Sequence, residues 1–352
     1  MPFTFTKIAD TNERPFDGFG NIAINNAGTV AWEGGTLDGL GIPASGILSS
    51  SGGSVTVIAN SSGPLRGFSP PAIDDNGTVA FVGTFDAGGN ALFSGSGGLI
   101  TTIADRSGIF NGFSSVDADA SGALVFNARL DTGGGRKYFL ASGGTINTIA
   151  TLGGGPPSIS GSGVVAFVGT TASGSRGIFT VAGGTLTRIP TAGIRGFGGW
   201  ARVNDSGTAV FQAGLPGGGA GIVIGDANGI SVVADTSLAF SEFGAGSVGI
   251  NNAGTVTFLA RFGADGSGIF TGPDLLNDKI IATGDSLLGS TVVRVEYVGA
   301  INEAGQIAFA AFLADGNQGL FRTDFSTVPE PTTLALLGLG LAGLGFTRRR
   351  SH

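Results

Sequence analysis

Acidic side chains are the residues of this sequence best able to carry out chemistry. Two facing carboxylates can act together as acid and base, or as acid and nucleophile, on a glycosidic bond. Glutamate is scarce, and it occurs at Glu13, Glu33, Glu242, Glu296, Glu303 and Glu330. Their spacing along the chain does not indicate that any two of them face each other in the folded protein. We therefore predict no catalytic residue from the sequence.

The segment DADASG at 117–122 places oxygen-bearing side chains at alternate positions, as the first half of some Ca²⁺-binding loops does. Such loops end in a bidentate glutamate at the twelfth position, whereas here Arg129 follows at the thirteenth and no glutamate is present. The same residues form one copy of a turn that recurs along the chain. We therefore predict a turn here and no metal site.

Two segments, 244–249 and 338–343, match the pattern G-x-G-x-x-G of dinucleotide-binding loops. That function needs a strand before the loop and a helix after it, so that backbone N–H groups meet a pyrophosphate. Neither segment has both, and we predict no cofactor. The chain has no cysteine, and its single histidine is His352. Disulfides, Cys/His zinc sites and histidine-based triads are therefore excluded from the body of the chain.

Composition narrows the class of protein. Glycine accounts for 67 of 352 residues, and charged residues for 12%, about half of the roughly 25% usual in soluble domains. Hydrophobic residues make up 41%, which is enough for a folded core and argues against a disordered chain. The formal net charge of -7 argues against electrostatic binding of nucleic acid.

The C-terminal end differs from the body of the chain. A Val-Pro-Glu-Pro motif is followed by an uncharged apolar run over 332–346 and then by three arginines. The residues that define the two ends are Val328, Pro329, Glu330, Pro331, Arg348, Arg349 and Arg350. The run is shorter than the ~20 residues that cross a bilayer comfortably, and the arginines favour the cytoplasmic side. It predicts a short hydrophobic helix that anchors the chain in a membrane; the alternative is a core helix with a basic end.

These three parts, in this order, resemble the PEP-CTERM protein-sorting signal. The resemblance implies processing by an exosortase, a membrane transpeptidase-like enzyme, in a bacterium that makes extracellular polysaccharide. Export also requires an N-terminal signal peptide. The N-terminus reads MPFTFTKIAD, with no basic region and no apolar stretch of 7–15 residues. Either the exported protein begins upstream of this Met1 or export of this chain is incomplete, and we expect the first.

The body of the chain contains seven copies of one motif. Each copy has a polar residue, a glycine three residues later, an apolar pair and an aromatic residue. The glycines are Gly28, Gly77, Gly122, Gly163, Gly207, Gly254 and Gly305. They are separated by 49, 45, 41, 44, 47 and 51 residues, which is near the 40–50-residue period of propeller blades.

The motif predicts a tight hairpin turn followed by a strand. Its polar residue can accept a hydrogen bond from the backbone N–H two residues on, and its glycine can take a positive φ. In six of the seven copies the polar residue is an asparagine or aspartate: Asn25, Asp74, Asp119, Asn204, Asn251 and Asn302. The aromatic residues are Trp32, Phe81, Phe126, Phe167, Phe211, Phe258 and Phe309. They alternate with small residues such as Ala31 and Ala80, so we expect each aromatic to pack against the small residues of a neighbouring blade.

Each repeat reads as four short strands, but the seventh repeat, near 296–325, lacks its last one. A matching segment stands instead at the N-terminus, FTFTKIAD at 3–10, and is similar to LITTIAD at 99–105. A closed ring explains this offset, because the first segment then completes the last blade and removes an exposed sheet edge. We predict an all-β fold, a seven-bladed β-propeller closed by residues 3–10. An extended β-solenoid is the alternative, and it keeps residues 3–10 far from 301–325.

Two domains follow: a propeller over 1–325 and a sorting segment over 326–352. Together, the NxxGxxAF-type repeats and the tail resemble exported tandem-repeat proteins for which no enzymatic activity is implied. We expect an exported, non-enzymatic binding or scaffold protein of the cell envelope or extracellular matrix. Its expected partners are an exosortase, a membrane through 332–346 before processing, and an extracellular polysaccharide. The alternative is a polysaccharide-active hydrolase or lyase with carboxylates at the propeller channel.

Overall fold

Each repeat of the sequence forms one antiparallel sheet, and seven sheets follow one another along the chain. The computed structural model describes residues 3–12, 18–37, 43–133, 135–237 and 239–325. These residues form 31 strands and no α-helix. The predicted all-β, seven-bladed propeller is confirmed. The predicted C-terminal helix lies outside the described residues.

We number the sheets as blades 1–7 in chain order. Blade 1 contains β2 (Phe19–Ile24), β3 (Val30–Leu37), β4 (Pro43–Ser50) and β5 (Thr56–Asn60). Blade 2 contains β6 (Leu65–Phe68), β7 (Ala72–Ile73), β8 (Val79–Phe85), β9 (Asn90–Gly95) and β10 (Thr101–Ala104). Blade 3 contains β11 (Phe110–Ala118), β12 (Leu124–Leu130), β13 (Arg136–Ser142) and β14 (Thr145–Ala150).

The remaining blades repeat the same order. Blade 4 contains β15 (Gly153–Gly154), β16 (Ser158–Ile159), β17 (Val165–Thr170), β18 (Arg176–Ala182) and β19 (Thr185–Arg188). Blade 5 contains β20 (Gly196–Val203), β21 (Ala209–Gly214), β22 (Ala220–Asp226) and β23 (Gly229–Asp235). Blade 6 contains β24 (Phe240–Ile250), β25 (Val256–Phe262), β26 (Gly266–Phe270) and β27 (Lys279–Ala282). Blade 7 contains β28 (Ser286–Leu287), β29 (Ser290–Glu296), β30 (Ala308–Leu313), β31 (Gln318–Phe325) and β1 (Phe3–Asp10).

The N-terminal strand closes the ring, as predicted. Strand β1 pairs antiparallel with β31, with Phe3 opposite Phe325 and Asp10 opposite Gly319. It takes the outer position that the fourth strand holds in the other blades. The two ends of the propeller are therefore adjacent, which rules out the extended solenoid. Closure also removes the free edge that β31 would otherwise expose.

A repeated β-bulge marks β1 as the outer strand of its blade. In five other outer strands, β5, β10, β14, β23 and β27, one β-branched residue is skipped in the pairing register. The skipped residues are Ile58, Ile103, Ile149, Val233 and Ile280. Strand β1 has the same bulge at Ile8, which is buried. Strand β1 thus has the bulge of an outer strand, although it is at the N-terminus and the other strands of its blade are near residue 325.

Side-chain hydrogen bonds also connect β1 to β31. The Asp324 carboxylate accepts hydrogen bonds from Thr6 Oγ1 at 2.6 Å and from Arg322 Nε at 3.0 Å. Gln306 Nε2 donates to the same carboxylate. Burial alone would raise the pKa of Asp324, but the bonds from Thr6, Arg322 and Gln306 and the charge of Arg322 hold it below its usual range. The carboxylate is therefore ionised at neutral pH and joins the two strands.

The hydrophobic core lies between blades rather than within a single sheet. The seven repeat aromatics have no exposed surface. Phe81 of blade 2 shares a buried cluster with Ala31 of blade 1, and Phe126 of blade 3 shares one with Ala80 of blade 2. Across the closure, Trp32 of blade 1 shares a cluster with Ala308 of blade 7. Large rings of one blade thus meet small residues of the preceding blade, which allows the sheets to pack closely.

Candidate functional site

The first strands of the blades surround a central channel. At the end nearest the motif turns, the channel holds a cavity of about 250 Å³ with lining residues from all seven blades. Its wall includes two proline pairs, Pro70–Pro71 and Pro156–Pro157. Proline has no N–H for the strand ladder, and the first strands of blades 2 and 4 are each divided into two short pieces there. The wall of the cavity is therefore irregular on that side.

One ion pair joins two non-adjacent blades inside the cavity. Arg202 Nη1 of β20 lies 3.3 Å from Asp117 Oδ2 of β11, and both side chains are largely buried. The backbone N–H of Ile159, in the blade between them, donates to the same oxygen at 3.1 Å. The N–H of Ala118 donates to Asp117 Oδ1 at 3.1 Å. Blades 3, 4 and 5 thus meet at a single carboxylate.

The protonation of Asp117 reflects this environment. Burial raises the pKa of the Asp117 carboxyl, while Arg202 and the N–H groups of Ile159 and Ala118 oppose the rise. Three other acidic residues, Asp75, Asp119 and Glu303, also line the cavity. Among the described residues, the cavity wall thus holds four carboxyl groups, the kind of group that glycoside hydrolysis uses in pairs.

Arg202 retains an unused donor. Its Nε atom is buried and has no hydrogen-bond partner among the described residues. Its guanidinium carbon lies 5.9 Å from the centre of the Trp200 ring, within the range of a cation–π contact. Trp200 also lines the cavity and lies against the backbone of Gly246, where a Cβ would come within 2.7 Å of the indole. A buried donor beside an aromatic face is suited to a ligand with an acceptor oxygen.

Trp200 is one of several aromatics near the starts of the blades. Phe19 and Phe113 are buried, with 4% of each side chain exposed, and Phe68 and Phe197 pack against core clusters. Of these five, Trp200 alone lines the cavity. Glu33 lies outside the cavity lining and accepts a hydrogen bond from Asn21 Nδ2 at 3.1 Å.

The motif turns form the mouth of the channel. Their glycines have φ values of +77° at Gly28, +90° at Gly122 and +76° at Gly305, and the others fall between these values. The polar residue accepts hydrogen bonds from further along the turn than the sequence suggests. Asn25 Oδ1, for example, accepts from the N–H of Thr29, four residues on, at 2.8 Å. The glycine bends the turn back far enough for the longer bond to form, and Asp74 and Asp119 also make the expected bond two residues on.

The asparagine side chains have a second role that the motif alone does not reveal. Asn25 Nδ2 donates to the carbonyl of Asp74 in the next blade at 2.8 Å, and Asn302 Nδ2 donates to the carbonyl of Asn25 at 2.9 Å. Asn204 and Asn251 make the same bond to the blades that follow them, at 3.3 Å each. These bonds run from blade to blade and cross the closure between blades 7 and 1. An ionised aspartate cannot donate in this way, and the Asp74 and Asp119 carboxylates accept hydrogen bonds from the N–H groups of their own turns.

No group of three or more acidic or histidine side chains able to hold a metal ion occurs among the residues that the structure describes. No helix of that part of the chain is long and apolar enough to span a membrane. The sorting-signal residues at 328–331 and 348–350 and the apolar run at 332–346 lie outside the described residues.

Comparison with protein families identifies the tail. The family model of the PEP-CTERM protein-sorting motif matches residues 327–350. A second model, for a family of unknown function designated DUF7453, matches residues 265–335. A search of curated protein sequences finds no significant match. The chain therefore carries a PEP-CTERM sorting motif, which supports export, a C-terminal membrane-anchoring sorting segment and recognition by exosortases.

Solved structures with the same fold have little sequence in common with this chain. The β-propeller domain of the Trilobed protease from Pyrococcus furiosus is 11% identical, with a TM-score of 0.58, over 88% of this chain and 96% of that one. Oligogalacturonate lyase from Vibrio parahaemolyticus is 11% identical, with a TM-score of 0.57, over 94% and 99%. The acylaminoacyl peptidase of Pyrococcus horikoshii is 12% identical, with a TM-score of 0.53, over 91% of this chain and 54% of that one. At such identities the likeness shows the propeller fold alone.

Proposed function

We propose that this chain is a non-enzymatic binding or scaffold protein of the cell envelope or extracellular matrix, processed by an exosortase. In this proposal residues 1–325 form the propeller that works outside the cell, and residues 326–352 form the sorting segment. The segment holds the chain in the membrane through 332–346 until it is cleaved near Pro329–Pro331. The sorting motif at 327–350 supports the route of export.

Processing can be tested by mass spectrometry of the native protein recovered from the cell envelope and from the medium. We expect a propeller that ends near Val328 and lacks the apolar run and the arginines. A variant with Arg348, Arg349 and Arg350 replaced by glutamine should accumulate with its tail intact. Recovery of an intact C-terminus at His352 from wild-type cells would contradict the proposal.

The central cavity is the proposed binding site. The observation that carries this part is Arg202 Nε, which is buried without a hydrogen-bond partner among the residues that the structure describes. A buried donor left unpaired is unfavourable, and a ligand oxygen placed in the cavity would satisfy it. Trp200 offers a ring face beside it, on which a sugar ring can stack. We infer that the ligand is a polysaccharide chain, held by these two residues. Asp117 neutralises Arg202 and fixes its position.

Binding and turnover can be measured together on the isolated propeller, with the neutral dextran and xylan oligosaccharides as probes. For a probe that binds, Arg202→Lys should weaken affinity about tenfold, because lysine keeps the charge opposite Asp117 but lacks the Nε donor. Arg195→Lys, at an exposed position just before the same strand, should bind like the wild type. Unchanged affinity in Arg202→Lys would contradict the channel site. Shortening of the probe by the wild-type protein would favour a hydrolase or lyase instead.

A further inference from the structure

A second concave surface lies at the other ends of the blades, away from the motif turns. It is an open groove of about 420 Å³ between blades 2 and 3. Three arginines line it, Arg106 from the loop between the two blades and Arg129 and Arg136 from blade 3. All three are exposed. Uncharged residues complete the lining. One of them is Asn90, whose side chain is fixed by two hydrogen bonds to the backbone of Phe113, at 2.7 and 3.0 Å.

Arg129 and Arg136 occupy an unfavourable arrangement. They are direct cross-strand partners on β12 and β13, so their side chains project from the same face of the sheet. Like charges in this position destabilise a strand pair. Neither guanidinium makes a hydrogen bond or a salt bridge to any residue that the structure describes. The fold therefore holds two unneutralised positive charges side by side at the edge of the groove.

The same register position in the other blades shows that the fold does not require this pair. The corresponding partners are Gly35–Ser45, Thr84–Asn90, Thr170–Arg176, Gly214–Ala220, Arg261–Ser267 and Phe312–Gln318. None of these six pairs contains two cations. Where blade 6 has an arginine, Arg261, its Nε lies 3.6 Å from Glu242. Blade 3 alone combines two arginines and leaves both without an acidic partner among the described residues.

The sequence after Asp131 has a long stretch without acidic residues. Residues 132–204 contain six lysines and arginines but no aspartate or glutamate, in a chain whose net charge is -7. The closest acidic residues in sequence, Asp86, Asp105 and Asp131, do not line the groove. Arg106 is oriented by a hydrogen bond from its Nη2 to Asn111 Oδ1 at 3.2 Å. This acidic protein thus has a positively charged groove in which the guanidinium of Arg106 is already oriented.

We propose that this groove binds an acidic polysaccharide through its carboxylates. Arginine presents paired donors that match a carboxylate, and three arginines in one open groove suit successive acidic sugars of a chain. The amide and hydroxyl groups of Asn90, Asn111 and Ser114 suit the hydroxyls between those charges. The proposal rests on the proposed function in one respect, the location of the protein outside the cell, and it adds a site that is separate from the channel.

The test uses fluorescence polarisation with a labelled alginate octasaccharide as the acidic probe and a dextran octasaccharide as the neutral probe. We expect alginate to bind with an affinity that falls as salt rises, and dextran not to compete. Arg129→Ser and Arg136→Ser should each weaken binding about fivefold, because each removes one exposed ion pair between an arginine and an alginate carboxylate. The matched control Arg261→Ser should leave affinity unchanged. The melting temperatures of the two groove variants should stay equal to the wild type or rise, because repulsion is relieved.

Several outcomes would overturn the proposal. One is equal alginate affinity in the wild type and in the Arg129→Ser/Arg136→Ser double variant. Another is loss of binding that accompanies a lower melting temperature, which would give the arginines a structural role. Equal or tighter binding of an eight-nucleotide DNA strand would assign the groove to nucleic acid. The Arg202→Lys variant distinguishes the groove from the channel. If alginate binds in the groove, its affinity should be the same in this variant as in the wild type.

Discussion

Replacing Phe258 with alanine is expected to lower the free energy of unfolding by about 3–5 kcal/mol. Phe258 has no exposed surface and contacts three other rings, with centroid distances of 5.7 Å to Phe240, 5.5 Å to Phe243 and 6.2 Å to Phe270. Its cluster includes Val210 and other residues of blade 5. The cavity left by alanine would therefore weaken the contact between two blades as well as blade 6 itself.

Urea denaturation followed by tryptophan fluorescence and circular dichroism measures this loss. Val232→Ala is the matched control, because Val232 lies on β23 of the adjoining blade and 50% of its surface is exposed. We expect the control to change the free energy of unfolding by less than about 0.5 kcal/mol. Equal stability of Phe258→Ala and wild type would show that the repeat aromatics do not form the contact between blades.

Removal of residues 3–10 is expected to have a larger effect, a loss of more than about 5 kcal/mol. The deletion removes the buried Ile8 and Ala9 from the core shared by blades 7 and 1. It also removes the contact of Phe5 with Phe309, whose ring centroids are 6.0 Å apart. Strand β31 would then expose its hydrogen-bonding edge, and we expect the truncated protein to self-associate.

Size-exclusion chromatography with light scattering, together with thermal melting, measures both consequences. Removal of residues 326–352 is the control, because it leaves all seven sheets complete. That control should melt at the wild-type temperature. A deletion of 3–10 that stays monomeric and melts with the control would mean that the ring holds without its N-terminal strand.

The architecture was predictable because its signals recur. The motif recurs at intervals of 41–51 residues, and the number of its copies predicts the number of sheets. The last repeat lacks a strand that is found at the N-terminus, and this predicts where the ring closes. The skipped residue Ile8 was not predicted as a bulge, since a bulge depends on the pairing register and not on residue type. The donor role of Asn302 toward Asn25 was also missed, because it needs the next blade in position.

The candidate sites were harder to predict because they depend on contacts between distant segments. Asp117 and Arg202 are 85 residues apart, and nothing local in either strand points to the other. In the sequence, Asp117 is notable only as the first residue of a calcium-loop pattern, and the later residues of that pattern form a motif turn. Arg129 and Arg136 are close in sequence, but their opposition appears only once the register of β12 and β13 is known.

Closure by the N-terminal strand is the central claim, and an engineered disulfide tests it most directly. The chain has no cysteine, so cysteines placed at Thr4 and Asp324, which face each other across β1 and β31, can form only one disulfide within the chain. After mild oxidation, peptide mapping should find residues 3–10 linked to residues 319–325 within one chain. A pair at Thr4 and Ser231, which lie in different blades, should not link. Failure of the first pair to form, or formation only between two chains, would contradict the closed ring.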